Sequence, residues 1–100
     1  MNNKDLEKLR ENAGVAERLL KAMSNTNRLM ILCSLVDNEH NVSELNSMVP
    51  LSQSALSQHL ASLRKAELVK TRREGTSLFY SVKGEAAKAI INTLKQLYYD

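Results

Sequence analysis

Apolar positions recur along this chain with two clear periods. From Asp5 to Met23, Leu6, Leu9, Ala13, Ala16, Leu20 and Met23 fall at alternating spacings of three and four, the seam of a helix packed against another helix. Gly14 weakens that helix slightly. Near the other end, Ala87, Ile90, Ile91, Leu94, Leu97 and Tyr98 form a second stripe on a helix opening after Gly84. Between a candidate cap at Asn25 and Val36, the run TNRLMILCSLV is apolar on nearly every side, which predicts a buried helix. Asp37 to Asn41 form a polar loop, and no internal repeat or low-complexity linker interrupts the chain.

The stretch from Ser43 to Leu68, SELNSMVPLSQSALSQHLASLRKAEL, predicts two short helices and a tight turn. Ser43 is the expected cap of the first, with Glu44 in its first turn, and Pro50 ends it. Ser52 is the candidate cap of the second, and Leu51 is placed to pack on Leu56 as a hydrophobic staple. Leu56, Leu60 and Leu63 make one inward stripe, while Gln53, Ser54, Ser57, Gln58, Ala61, Arg64 and Lys65 face the other way. Short amides and hydroxyls on a helix match the donors and acceptors of base edges in a major groove, and cations farther along meet phosphate. The plainer reading is an ordinary solvated helix face. The next segment of the chain weighs against it: Leu68 to Arg73 and Ser77 to Val82 are strand-like runs either side of Glu74, Gly75 and Thr76, a basic hairpin.

A helix-turn-helix succeeded by such a hairpin is a winged helix. The expected fold is therefore mainly α with a small β-hairpin: about five helices plus a wing in one domain over residues 1–100, with the helix-turn-helix at 43–68 and the wing at 69–82. The terminal helices, 5–23 and 85–99, carry more apolar surface than a small winged helix must bury. That predicts a homodimer joined through Leu6, Leu9, Ala13, Leu20, Ile90, Ile91, Leu94, Leu97 and Tyr98; the alternative is that both helices cover the monomer's own core.

Composition sharpens this picture. The net charge of +3 is uneven: residues 1–50 hold six Lys/Arg against seven Asp/Glu, and residues 51–100 hold eight against four. The basic half contains the candidate reading helix, the footprint expected for a polyanion partner, double-stranded DNA. No secretory signal or membrane-length apolar run is visible, so the expected location is cytoplasmic, with no membrane partner. A single cysteine suits a reducing compartment and excludes a disulfide within one subunit, leaving one between subunits open.

The segment SQSALSQHLASLRKAELVKTRREGTSLFYSV, taken with NRLMILCSL, resembles the ArsR/SmtB family of small bacterial transcriptional regulators over about the whole chain. RLMILCSL and LSQSALSQHLASLR most resemble its non-metal-sensing, haemolysin-activator (HlyU-like) branch. The resemblance implies a dimer built from the terminal helices, and the branch is understood to activate virulence genes by displacing a nucleoid silencer. Metal sensing in the family uses cysteines of an ELCVCDL-type motif, where this chain has Asn41 and Ser43, or Asp and His on the last helix, where GEAAKAIINTLKQLYYD has no His. Neither ligand set is present, and no metal or other cofactor is expected. In related persulfide-sensing regulators a cysteine at the ILC motif pairs with a second near the C-terminus; here Cys33 stands alone, since the chain ends LYYD with Tyr98 and Tyr99. Cys33 is thus a candidate for redox sensing through a one-thiol modification, or an inert core thiol.

Together these readings point to a sequence-specific transcriptional regulator binding a near-palindromic site. Gln53, Ser54, Ser57 and Gln58 are expected at base edges. His59 is open between a DNA contact and a packing role, while Arg64, Lys65, Arg72, Arg73 and Thr76 are expected at phosphate or in the minor groove. No nucleophile, base and acid are placed by a recognisable motif, so no enzyme is expected. The competing functions are a metal-responsive repressor and a winged-helix module that docks proteins without reading DNA.

Overall fold

The computed structural model describes residues 1–98. Seven elements succeed one another: α1 (Asn3–Met23), α2 (Thr26–Leu35), α3 (Val42–Met48), α4 (Gln53–Lys65), β1 (Val69–Glu74), β2 (Ser77–Val82) and α5 (Glu85–Tyr98). This is the expected winged helix of five helices and one antiparallel hairpin.

The core gathers around α2, whose Ile31, Leu32 and Leu35 are buried against Leu45 and Val49 below α3, Leu56, Leu60 and Leu63 of α4, Val69 and Val82 at the base of the wing, and Ala87 and Ile91 of α5. The nearly all-round apolarity of α2 has this cause: α3, α4, α5 and β2 all touch it. Asn25 caps it by accepting from Arg28 N at 3.1 Å, as the sequence predicts.

Helix α1 behaves differently. Residues 1–18 are exposed throughout and only Met23 is buried, so a helix of about 30 Å runs out from the body and stretches the molecule to 51 × 29 × 21 Å. Its predicted seam residues Leu6, Leu9 and Leu20 are 51%, 54% and 54% exposed. The stripe on α5 splits. Ala87 and Ile91 sit in the core, Ile90 and Leu94 pack at its edge, and Leu97 and Tyr98 are exposed. Ile91 is therefore corrected from an expected dimer residue to a core residue: none of its surface is left for a partner. Tyr99, included in the expected terminal helix 85–99, lies outside the described residues.

Candidate nucleic-acid interface

Helix α3 starts two residues earlier than Ser43 would have it. Asn41 is its cap, accepting from Glu44 N at 2.8 Å while the Glu44 carboxylate accepts from Asn41 N at 3.0 Å, a reciprocal capping box. The expected cap at Ser43 fails because Asn41 offers the same chemistry in the extended conformation a cap needs, and Ser43 falls inside the first turn. The turn to α4 is tied by Asn46, whose amide donates to Leu51 O at 2.7 Å, and by Val49, which is buried. Leu51 is half-buried against the core cluster that holds Leu56, in the place a staple requires. Ser52 then caps α4 by accepting from Ala55 N at 3.1 Å.

Helix α4 is therefore set rigidly on the body. Leu56, Leu60 and Leu63 are its buried stripe, and Gln53, Ser54, Ser57 and Gln58 are exposed over its first half. His59 is half-buried at the edge between the two faces. Arg64 and Lys65 occupy the last turn, exposed, where they also oppose the negative end of the helix dipole. The helix ends in a Schellman motif: Leu68 N donates to Leu63 O at 2.9 Å and Glu67 N to Arg64 O at 3.0 Å, with Glu67 in the left-handed region at φ 61. Leu68, read as the first strand residue, instead closes that motif and packs with buried Leu63.

The wing pairs in register from Val69 with Val82 out to Glu74 with Ser77, leaving Gly75 and Thr76 as a two-residue turn. Gly75 has φ 61, which suits the first central position of a II′ hairpin turn. Alternation places Val69, Thr71 and Arg73 on one face, and Lys70, Arg72 and Glu74 on the other. A third segment joins the sheet. His40 exchanges backbone hydrogen bonds with Tyr80, at 3.1 and 2.8 Å, on the side of β2 away from β1.

Arg72 uses that arrangement to reach across the sheet. Its guanidinium passes 4.9 Å over the ring of Phe79, its partner in the register. It reaches Glu39 through Nε at 3.2 Å to both carboxylate oxygens and Nη2 at 2.5 Å, while Nη1 donates to Glu74 at 2.9 Å. These hydrogen bonds hold the Glu39 carboxyl below its ordinary range and push the guanidinium still higher. The expected phosphate contact at Arg72 is thus already occupied by two carboxylates. Among the described residues Arg64, Lys65, Lys70 and Arg73 show no such ion pair, and Thr76 is exposed at the tip.

Cys33 sits half-buried on α2, in a hollow lined by Thr26, Leu29, Met30, Leu94 and Tyr98. Burial raises its thiol above the ordinary value, and the charge of Lys95 opposes this more weakly. At the family's thiolate positions, the Asn41 side chain is spent on capping α3 and Ser43 offers a hydroxyl. Among the described residues no three His, Cys, Asp or Glu converge in one place.

A rigid helix with an exposed amide-and-hydroxyl face, joined to a cationic hairpin, defines a winged helix-turn-helix DNA-binding protein. The chain matches the profile of "Bacterial regulatory protein, arsR family" over residues 25–71. It is 51% identical to the transcriptional activator HlyU of Vibrio cholerae serotype O1, over 94% of this chain and 87% of the relative. The solved structure of reduced HlyU from Vibrio cholerae superposes with a TM-score of 0.88 at 50% identity, covering 94% of this chain and 99% of that one. The transcriptional repressor BigR from Xylella fastidiosa superposes at 0.85 with 35% identity, covering 100% and 99%. The chain belongs to the ArsR family and is a DNA-binding transcription regulator of HlyU-like kind. No helix among the described residues is long and apolar enough to cross a membrane.

Proposed function

We propose that the protein acts as a two-fold dimer that sets its two α4 helices into successive major grooves of a near-palindromic duplex, about 10 base pairs apart. The observation that carries this reading is the apolar stripe of α1. Leu6, Leu9 and Leu20 lie on one side of a helix that touches little of its own chain, and Leu97 and Tyr98 of α5 are also left exposed. A face of that size needs a partner, and a second copy supplies an identical stripe. In this reading Gln53, Ser54, Ser57 and Gln58 meet base edges, and Arg64, Lys65, Arg73 and Thr76 meet the backbone or the minor groove, with His59 steadying the helix from its edge.

The test pairs light scattering with DNA selection. The wild-type protein should run at twice the chain's 11.2 kDa at micromolar concentration and should enrich a duplex with two inverted half-sites from a random pool. A monomer, or enrichment of a single unrepeated half-site, would overturn it. Docking of a protein without DNA readout predicts instead no salt-sensitive preference for any duplex. A redox response through Cys33 would require the raised thiol to be reached through the α2–α5 hollow, and operator affinity that changes with peroxide in wild type but not in Cys33→Ser.

A further inference from the structure

We infer that Arg72 is a positioning residue: through Glu39 it clips the wing to the α2–α3 loop and sets the wing's angle on DNA, and it is not itself a phosphate ligand. This rests on the DNA-reading arrangement proposed above. Three observations converge on it. The guanidinium is held by a bidentate Glu39 on one side and by Glu74 on the other, so a phosphate approaching it would meet two carboxylates for one cation. Its path over Phe79 is fixed by the register, which places Phe79 opposite Arg72 and so aims the side chain across β2 at the loop. The backbone pair His40–Tyr80 brings that loop alongside β2, which places Glu39 within reach. The clip thus joins residues 33 positions apart and links the wing to the loop that leads directly into α3, the first helix of the reading unit. A planar fork is needed for this, because only a guanidinium can bond Glu39 twice, bond Glu74 and pass over the Phe79 ring at once.

The two roles predict opposite signs at Glu39. A carboxylate beside a phosphate contact opposes DNA, so Glu39→Ala should then tighten binding or leave it unchanged. As half of a clip, its loss should weaken binding although the protein becomes more positive. The measurement is affinity across a salt series for Glu39→Ala, Arg72→Lys and wild type, on a duplex selected by the wild-type protein and on random DNA. Both variants should lose about 3- to 10-fold on the selected duplex, with random-sequence affinity and salt slope close to wild type, since neither removes a phosphate contact. Arg72→Lys keeps the charge but loses the fork, so a structural clip fails in it where a point-charge contact survives. Unchanged or tighter binding by Glu39→Ala, or wild-type behaviour of Arg72→Lys, overturns the inference. Failure of the wild type itself to prefer any duplex overturns the reading beneath it. The pairs are exposed, so thermal melting should stay near wild type and report that both variants fold.

Discussion

Glu67 is the residue where local chemistry and fold disagree most. It holds φ 61 at the end of α4, a position glycine fills without strain, and its side chain gains only a 3.4 Å exposed ion pair to Lys83. Glu67→Gly should therefore stabilise the protein by up to about 1 kcal/mol, read as a higher urea midpoint with unchanged slope. A lower midpoint would show that the Lys83 pair, or the added freedom of glycine in the unfolded chain, outweighs the backbone strain. Because the usual glycine signal is missing, the Schellman motif is not readable in the sequence, and the apolar pattern alone extends the strand back to Leu68. Cys33 makes the second prediction at this scale. Burial favours its protonated thiol, so that contribution to stability is present below the ordinary thiol value and is lost as pH rises through the raised one. Iodoacetamide should label the native protein slowly at neutral pH, with a rate midpoint above that of the unfolded chain; rapid labelling at pH 7 would contradict the burial.

At the scale of elements, helices with their own caps are legible and contacts between distant segments are not. The frames of α2 and α4 come from Asn25 and Ser52 because each cap directly precedes an apolar run that starts helical periodicity. At α3 the expected cap Ser43 gives way to Asn41, two residues earlier, which unlike Ser43 has a Glu three positions on, at Glu44. Asn41→Ala should cost about 1 kcal/mol, while Ser43→Ala, already inside the helix, should cost a few tenths at most; thermal melts of the pair decide it, and equal losses would refute the assignment. The face of α4 makes a prediction of a different kind. Gln53→Ala should cost about 1 to 3 kcal/mol on the preferred duplex and relax its preference, whereas Arg73→Ala should weaken all sequences alike and lower the salt slope by about 1. Equal effects on selected and random DNA from both would remove the division between reading and anchoring. Arg72 looks equivalent to Arg73 in sequence. Alternation puts them on opposite faces, and only the third segment through His40 shows that one of them already has a carboxylate partner.

At the scale of the molecule, periodicity locates both terminal stripes but cannot say what covers them. Spacing records which side of a helix is apolar and carries nothing about what lies opposite, so Ile91 and Leu97 look alike although one is fully buried and the other is 67% exposed. The structure separates them, and the separation gives a test in which folding and assembly come apart. Ile91→Ala empties a site at the centre of the core and should cost about 2 to 5 kcal/mol, with loss of the fold at moderate temperature. Leu9→Glu combined with Leu20→Glu alters positions that are already more than half exposed in the single chain, so helix content should remain. Carboxylates placed in a two-fold interface lose water and bring like charge from both copies together, however, and the mass should fall to 11.2 kDa. With one reading helix per particle, affinity for an inverted repeat should drop toward that for a single half-site, because joining two readers raises overall affinity by about 10² to 10⁴ when both can engage. Glu11→Lys, off the apolar stripe of the same helix, is the control and should stay dimeric. If the double variant kept twice the chain's mass, the α1 stripe would not be the seam, and the exposed end of α5, with Leu97 and Tyr98, would have to carry the assembly alone.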